Sequence, residues 1–252
     1  ITDLKACDRG GMMFQPDPGV YEQVHQIDFT SLYPSIIVKY NLSPESLDHP
    51  EVKGFPATVI TSLLNLRIET KRRKKTNPEY RGIDSVLKWM LVTCFGYTGY
   101  RNAKFGQMHE RITAISGELL MDIKELAEDM DFEVLHGIVD CLWVRGGPIS
   151  IYKEAVEQMT GILTEVDSFD WIAFLPMADG SGSYTRYFGR LDKGRMKVRG
   201  VAARRGDTPR YLQRMQMDLF ELLAGAANRE ELRLCKPRAE EVRRRYERDL
   251  MD

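Results

Sequence analysis

Residues 27–37, IDFTSLYPSII, decide both the fold and the chemistry that the sequence predicts. An apolar run carries one carboxylate, Asp28, and then meets an aromatic residue and a proline. Residues 24–29 predict a short strand that leaves a core. Pro34 suits the first turn of a helix, where a missing N–H costs nothing. The pattern therefore predicts a strand-to-helix turn at about residues 30–35.

Asp28 stands at the end of the predicted strand, beside the turn. A carboxylate in this place is a good metal ligand, because Mg2+ prefers hard oxygen donors. The alternative is that Asp28 only ends the strand or caps the helix. The local pattern leaves both interpretations open, since short motifs have low specificity.

The wording of this stretch resembles the first polymerase motif of the family B DNA polymerases, Asp-Phe-x-Ser-Leu-Tyr-Pro-Ser-Ile-Ile. The resemblance implies that Asp28 binds both catalytic metal ions and that the backbone carbonyl of Phe29 is a further ligand. It implies that Tyr33 packs under the sugar of the incoming nucleotide and excludes a 2′-hydroxyl. Ser31 and Leu32 fall in the same implied nucleotide site.

Composition sets limits on the protein class. The chain has 252 residues, of which 43% are hydrophobic, enough for one large domain or two small ones. No apolar run approaches the roughly 18 residues of a membrane span, and no basic-then-apolar leader is present. We therefore expect a cytoplasmic protein without a membrane partner. Its cysteines are far apart, which argues against a zinc site and fits reduced thiols: Cys7, Cys94, Cys141 and Cys235.

Basic residues are concentrated in two segments, although the net charge of −1 does not by itself indicate a nucleic-acid binder. Residues 67–75 hold six basic residues against one acid, and residues 193–214 hold eight against one. Such clusters can follow a phosphate backbone. A solvated helix face is the alternative for either segment.

Two helices are predicted over residues 58–76 and 80–94, separated by the helix-breaking pair Asn77-Pro78. The first helix is indicated by apolar and Thr side chains at helical spacing: Val59, Leu63, Leu66 and Thr70. The short connection predicts a helical hairpin. Basic side chains occur on both of its helices.

Three of these cations form a candidate phosphate site. Arg67 and Lys71 lie four residues apart on one face of the first helix, and Lys88 lies on the second. A trio of cations on such a hairpin can hold a triphosphate by charge alone. A surface hairpin with ordinary solubilising charge is the alternative.

Lys88 and the segment FGYTGY at residues 95–100 resemble the fingers motif of the same family, Lys-x-x-x-Asn-Ser-x-Tyr-Gly. The match implies that Lys88 contacts the triphosphate together with the two cations of the preceding helix. It also places Val92 at the nucleotide, and Gly96 and Tyr97 at the DNA. Three residues depart from the motif: Val92 for Asn, Thr93 for Ser and Phe95 for Tyr. Val92 loses a polar side chain and Phe95 loses a hydroxyl, and these two changes put nucleotide affinity and fidelity in question.

A second carboxylate site is predicted between two strands, at residues 132–135 and 141–144. The intervening hairpin carries one acid, Asp140, and a lone Asp in a turn is often simple turn chemistry. The segment nevertheless resembles the family's third motif, Tyr-Gly-Asp-Thr-Asp-Ser, with Asp140 at the second Asp and Ile138 at the first. The resemblance implies that Asp28 and Asp140 are the catalytic pair that holds two Mg2+ ions. The apolar residue Ile138 stands where the motif has an accessory carboxylate.

The remaining sequence predicts helices at 107–130, 150–165 and beyond 208, and strands at 168–175 and 184–191. Arg186 and Tyr187 match the end of a Lys-Lys-x-Tyr-type element that holds the primer–template backbone in the family, while its leading lysines are absent. The segments around Arg199 and Arg204-Arg205 resemble the family's entry to the thumb. All five residues are implied DNA contacts.

The resemblance implies an α+β fold, in which a palm of antiparallel sheet backed by helices carries a helical-hairpin fingers insertion and a partial helical thumb. The expected domains are residues 1–57, the first part of the palm, and 58–100, the fingers. Residues 101–200 would complete the palm, and 201–252 would begin the thumb. A family thumb is longer, so we expect the chain to stop inside it.

The implied function is DNA-directed DNA synthesis with dNTP and primer–template DNA, and with a sliding clamp or other replication subunits as candidate partners. An inactivated relative that binds DNA or a replication partner is the first alternative, suggested by Ile138, by Val92 and by the missing lysines before Arg186. A nuclease or another two-metal phosphotransferase is the second. It would need a further carboxylate cluster, which the sequence does not offer.

Overall fold

The computed structural model describes residues 11–99, 103–192 and 194–250. Two residues named above, Cys7 and Tyr100, lie outside these ranges, as does Lys193 of the second basic segment. The chain divides into two compact units, one made mostly of helices and one built on a β-sheet. The mixture of helices with antiparallel strands confirms the predicted α+β class.

Seven strands form one sheet in the order β1-β3-β4-β2-β5-β6-β7. The pairs β1–β3, β3–β4, β5–β6 and β6–β7 are antiparallel, as predicted for this sheet. The strands are β1 Met13–Phe14, β2 Gly19–Phe29, β3 Glu133–Ile138, β4 Cys141–Arg145, β5 Thr164–Pro176, β6 Gly182–Leu191 and β7 Met196–Arg199.

The core of the sheet unit is aromatic. Four consecutive residues of β4, from Cys141 to Val144, are buried, as expected for a strand inside a sheet with both faces covered. Trp143 packs edge-to-face against Phe174 and Tyr187, with ring centroids 6.4 and 5.5 Å away. Such geometry suits the quadrupoles of the rings and adds to the gain from burying their area.

His136 crosslinks three strands within this core. Its ring stacks on Trp143 with centroids 4.5 Å apart. Nδ1 lies 2.6 Å from the carbonyl oxygen of Phe14, and Nε2 lies 2.9 Å from that of Tyr184. Both nitrogens therefore face backbone acceptors. Burial lowers the pKa of His136, and the two carbonyl contacts oppose this shift.

The helical unit contains α1 Leu32–Lys39, α2 Phe55–Arg73 and α3 Tyr80–Gly96, followed by a 3-10 turn at Tyr97–Gly99. It also holds most of α4 Ala103–Asp129 and the second half of α5 Ile149–Thr160. Helices α2 and α3 pack on each other and form the predicted hairpin. Helix α2 begins three residues earlier than predicted, because Pro56 suits its first turn and Gly54 takes the N-cap.

Of the four residues whose spacing predicted α2, only Thr70 is among those that the helix buries. Val59 and Leu66 are 41% and 52% exposed. The buried stripe is displaced around the helix and includes two polar side chains, Arg67 and Thr70. Its apolar members are Ala57, Ile60 and Leu64. Two stripes of the same period exist on this helix, and only its packing partners select one of them.

Three helices follow the sheet in the second unit: α6 Arg210–Ala224, α7 Arg229–Leu234 and α8 Lys236–Asp249. The indole N–H of Trp171 donates to the carbonyl of Ala226 at 2.8 Å and so fixes the end of α6 to β5. Asn228 caps α7 by accepting from the backbone N–H of Glu231. No helix in the described ranges is long and apolar enough to cross a membrane.

Other element boundaries also differ from the sequence prediction. Strand β3 continues to Ile138, so the hairpin turn contains only Val139 and Asp140. Helix α5 ends at Thr160, because Gly161 adopts a left-handed conformation with φ of 64°, and β5 begins at Thr164. The predicted boundaries of palm, fingers and thumb stay a prediction.

Candidate functional site

Asp28 and Asp140 form the centre of the candidate metal site. Asp28 is the next-to-last residue of β2, and Asp140 is in the turn that leads into β4, the neighbour of β2 in the sheet. One ligand atom from each of Asp28, Asp140 and Cys141 lies within 4.8 Å of the other two. The structure therefore brings together the two acids that the sequence singled out.

The donor atoms fit a hard divalent cation in part. Two carboxylates supply the oxygens that Mg2+ or Mn2+ prefers, whereas a thiol is a soft donor. The Cys141 thiol instead donates to Oδ1 of Asp140, with sulfur and oxygen 3.2 Å apart. Sequence reasoning did not assign Cys141 to the site, although it directly follows Asp140. The carboxylate pair is the part of the group suited to metal.

The turn before Asp140 is strained. Val139 has φ of 50°, a left-handed conformation that is unusual for a β-branched residue. The N–H of Asp140 lies 2.6 Å from the carbonyl oxygen of Ile138. The Ile138 side chain packs against the aromatic core of the sheet unit. The position where the family motif has its first Asp is thus used for apolar packing.

The strand-to-helix turn after Asp28 has the predicted location. Ser31 adopts a left-handed conformation, with φ of 59° and ψ of 52°, and precedes α1. The N–H of Thr30 donates to the carbonyl of Leu163 at 2.7 Å, and the N–H of Ser35 donates to that of Ser31 at 2.9 Å. Leu32 is buried, while the ring of Tyr33 is half-buried.

Tyr33 is the first ring of a three-ring stack. Its centroid lies 3.9 Å from that of Phe95, and Phe95 stacks on His109 at 4.7 Å. The hydroxyl of Thr98 lies 2.9 Å from Nδ1 of His109, which fixes the third ring. His109 was not anticipated from the sequence, because nothing in the local pattern near residue 109 points to Phe95.

Two of the three predicted phosphate-binding cations are held by carboxylates of the protein. Arg67 is 8% exposed, donates from Nη1 to Oγ of Ser31, and has Nε 3.7 Å from Oδ1 of Asp84. Lys71 Nζ lies 2.7 Å from Glu165 and donates to Oγ1 of Thr30 at 3.3 Å.

The two acids were missed in the sequence. Asp84 stands one helical turn before Lys88 and was visible as the single acid of α3, whereas Glu165 is remote in the chain.

Lys88 is the cation that remains open. It is exposed on α3 and makes no ion pair with the residues that the structure describes. Val92 and Gly96 follow at intervals of four residues on the same face, and both are exposed. Tyr97 is 71% exposed just beyond the helix. The three residues on this face of α3 correspond to the implied nucleotide and DNA contacts.

Five of the implied DNA contacts lie on β6, on the edge strand β7 and in the segment that follows β7. Arg186 on β6 and Arg199 on the edge strand β7 are exposed, as is Arg204. Arg205 is exposed too, but it forms a two-point ion pair with Asp207, at 2.9 and 2.6 Å. Tyr187 is only 6% exposed and belongs to the aromatic core. A contact of its ring with DNA stays a prediction.

Comparison with known proteins gives concordant results. The family model described as DNA polymerase family B matches residues 3–54, which include Asp28 and the following turn. DNA polymerase 2 of Saccharolobus solfataricus is 35% identical over 211 residues, 80% of this chain and 33% of that protein. The chain belongs to the family B DNA polymerases. It spans about a third of the length of the relatives that it matches.

Another relative and a solved structure extend the likeness across the chain. A DNA polymerase of Archaeoglobus fulgidus is 27% identical over 252 residues, 88% of this chain and 31% of that protein. The solved structure of the family B DNA polymerase from Pyrobaculum calidifontis matches with a TM-score of 0.65 and 27% identity. The match covers 96% of this chain and 34% of that one. The family B fold is therefore present from the first strand to the last helices.

Proposed function

We propose that this chain is the catalytic core of a DNA-directed DNA polymerase, which transfers a nucleotidyl group from a dNTP to a primer 3′-hydroxyl. The observation that carries the proposal is the approach of Asp28 and Asp140 in a member of family B. Each acid comes from a motif that resembles a metal-binding motif of this family. Their proximity supports a shared metal site.

Asp28 and Asp140 would hold two Mg2+ ions, with the Phe29 carbonyl as a further ligand. When bound, these ions supply the charge that lowers the pKa of the primer hydroxyl and offsets the charge of the leaving pyrophosphate. The contribution of the protein is to fix two carboxylates at strand ends, where the sheet limits their movement. The left-handed conformation of Val139 directly precedes Asp140 in the turn.

Lys88 and the start of α1 would hold the triphosphate. Lys88 is an exposed point charge, and the backbone N–H groups of Ser31 and Leu32 stand where a helix begins, which favours anions. The stacked ring of Tyr33 would exclude a ribose 2′-hydroxyl by its fixed position. Val92 offers an apolar contact in place of an amide.

Exposed arginines on β6, on β7 and in the segment that follows β7 would bind primer–template DNA through its phosphates. Arg186, Arg199 and Arg204 are available for this contact. Contacts to the backbone are independent of sequence, as copying any template requires. A sliding clamp or other replication partner and a cytoplasmic location stay predictions from the sequence.

A second candidate function is a catalytically impaired relative that binds DNA or a replication partner. Two observations favour it. Ile138 is packed against the core where the family motif has an acid, and two implied triphosphate ligands, Arg67 and Lys71, are already paired with carboxylates. Such a protein would hold primer–template DNA equally well with and without Mg2+ and would not respond to a matched dNTP.

Mg2+-dependent primer extension by the full-length protein tests the proposal. Asp28→Asn is the decisive variant, and Asp179→Asn, which removes an equal charge from an exposed loop, is its matched control. We expect extension by the parent and the control, and a loss of at least about 100-fold in Asp28→Asn, because removal of a direct ligand should cost more than the roughly 10–100-fold lost with an outer-shell partner.

Extension that is unaffected by Asp28→Asn would exclude this site as the catalytic centre. If only the Ile138→Asp variant extends primers, catalysis was lost at that position and the binding function is the better conclusion. Because Ile138 packs on the core, the melting temperature of Ile138→Asp should be compared with that of the parent. If parent and Ile138→Asp are both inactive, the polymerase proposal is wrong.

A further inference from the structure

Asp84 is a buried acid placed between two cations of the helical hairpin. Its side chain is 10% exposed on α3 and faces α2. Lys74 donates to Oδ2 of Asp84, while Nε of Arg67 lies 3.7 Å from Oδ1. One carboxylate therefore serves two cations.

The contact with Arg67 is incomplete. A separation of 3.7 Å is too long for a hydrogen bond, and both Nε of Arg67 and Oδ1 of Asp84 are buried without a hydrogen-bond partner in the described part of the chain. A buried guanidinium is normally satisfied by two-point contact with a carboxylate or a phosphate. A buried donor without an acceptor costs free energy. The Nε–H of Arg67 is therefore available to bind an oxyanion.

Arg67 is also tied to the turn that follows Asp28. Its Nη1 donates to Oγ of Ser31, and Lys71, one helical turn further along α2, donates to Oγ1 of Thr30. Both cations thus lie at the turn where the nucleotide is placed under the proposed function, on which this inference rests. An incoming phosphate would meet Arg67 while Asp84 is still beside it.

We propose that Asp84 is a specificity-determining residue that competes with the oxyanions of the incoming triphosphate for Arg67. Displacement by a phosphate does not leave the acid unpaired, because Lys74 remains its partner. The guanidinium exchanges one distant carboxylate oxygen for a two-point contact. A polyanion makes this exchange, whereas a weaker anion leaves the Asp84 contact in place.

Binding of inorganic tripolyphosphate to the full-length protein, measured by titration calorimetry, tests this role. Asp84→Asn keeps the shape of the side chain and removes its charge. Glu69→Gln removes an equal charge from a half-exposed acid of the same hairpin, which pairs with Arg73, and is the matched control. We expect Asp84→Asn to bind tripolyphosphate roughly tenfold more tightly than the control, because the carboxylate charge 3.7 Å from Nε of Arg67 no longer attracts the guanidinium.

An affinity of Asp84→Asn equal to or below that of Glu69→Gln would overturn the proposal. It would show that Asp84 only positions Arg67. The melting temperature of each variant is measured first, since loss of a buried counter-ion can prevent folding.

A second variant tests the proposal without removing the buried acid. In Lys74→Met, Asp84 is no longer shared and should hold Arg67 more strongly, so tripolyphosphate affinity should fall by several-fold more than in Lys75→Met. Lys75 is exposed and supplies the matched loss of one charge. Equal affinities of these two lysine variants would contradict the competition.

The result is distinguishable from failure of the proposed polymerase function. Tripolyphosphate is not a substrate, so its affinity reports on Arg67 whether or not the protein extends primers. If Asp84→Asn binds tripolyphosphate more tightly but the parent extends no primer, the competition proposal stands and the polymerase proposal is wrong. If the parent extends primers but Asp84→Asn leaves tripolyphosphate affinity unchanged, the competition proposal is wrong and the polymerase proposal stands.

Discussion

The ring of Tyr33 stacks on the ring of Phe95, with centroids 3.9 Å apart and planes inclined by 21°. The two residues come from separate motifs, since Tyr33 lies in the first turn of α1 and Phe95 in the last turn of α3. Phe95 replaces a motif Tyr and keeps the stacking surface without the hydroxyl. His109 closes the other side of Phe95. The position of Tyr33 therefore depends on a ring supplied by the hairpin.

The Phe95→Ala variant should incorporate ribonucleotides more readily than the parent. Removing the stacked ring frees Tyr33 to move, which weakens its exclusion of a 2′-hydroxyl. Because such aromatic pairs contribute about 0.5–1.5 kcal/mol, we expect discrimination to fall roughly two- to tenfold. The measurement is the ratio of dNTP to rNTP incorporation by the full-length protein. Tyr40→Ala, which removes a ring that is 42% exposed just after α1, is the control, and an equal change in both variants would contradict the role.

Trp171→Phe should destabilise the protein more than Trp143→Phe. Both indoles are buried, but only Trp171 donates a hydrogen bond, to Ala226, whereas Nε1 of Trp143 has no hydrogen-bond partner among the described residues. The lost bond should add about 1 kcal/mol to the cost of Trp171→Phe. Urea unfolding of the two variants checks this difference. Equal losses would indicate that the Ala226 contact contributes nothing to stability.

Gly200→Ala should destabilise the end of the β6–β7 hairpin. A Cβ at this position would lie 2.3 Å from the carbonyl oxygen of Thr185 and 2.9 Å from Cγ of Arg186, and φ is 64°. We expect a loss of roughly 1–3 kcal/mol in the free energy of unfolding, because the backbone must move. Gly206→Ala, where a Cβ meets nothing within 4 Å, should be nearly neutral in the same assay. A Gly200→Ala variant as stable as the Gly206→Ala control would be inconsistent with this packing.

Stability should decrease as the pH falls below about 6.5, the ordinary pKa of histidine. Burial lowers the pKa of His136 in the folded state. As the pH falls, His136 is therefore protonated in the unfolded chain at a higher pH than in the folded protein, and protonation stabilises the unfolded state. The contribution of neutral His136 to the free energy of unfolding is fully present above its pKa in the unfolded chain. It is lost as the pH falls through its pKa in the folded protein. His25 shifts in the same direction through burial.

Urea unfolding at pH 7 and pH 5 measures this effect. The His136→Gln variant cannot titrate, so its stability should change less between the two pH values than that of the parent. His49→Gln, at an exposed histidine, is the control and should keep the parental pH dependence. If the stability of His136→Gln changes with pH as much as that of the parent, other groups cause the effect.

The main helices and strands were predictable because their signals are local. Pro34 and the apolar run before it located the strand and the following helix, and Asn77-Pro78 separated α2 from α3. Element ends were less predictable. Gly161 ends α5 by a left-handed conformation, and β3 continues through the segment predicted as a turn, since its partner strand supplies the hydrogen bonds.

The candidate site was predictable where a motif names its residue. Asp28 and Asp140 were found in separate motifs, and the sheet order makes their strands neighbours. His109, Asp84 and Glu165 were missed, because each matters through a residue far from it in the sequence. No local pattern encodes such a contact.

The sequence by itself determined the family, the α+β class and the two acids, because these depend on residue identity and short-range spacing. Only the tertiary structure decided which face of α2 is buried, and with it the state of Arg67. A cation at helical spacing is open to a ligand or enclosed by an acid according to what packs beside it. Burial and pairing are properties of the folded chain, and the Asp84 contact is their result.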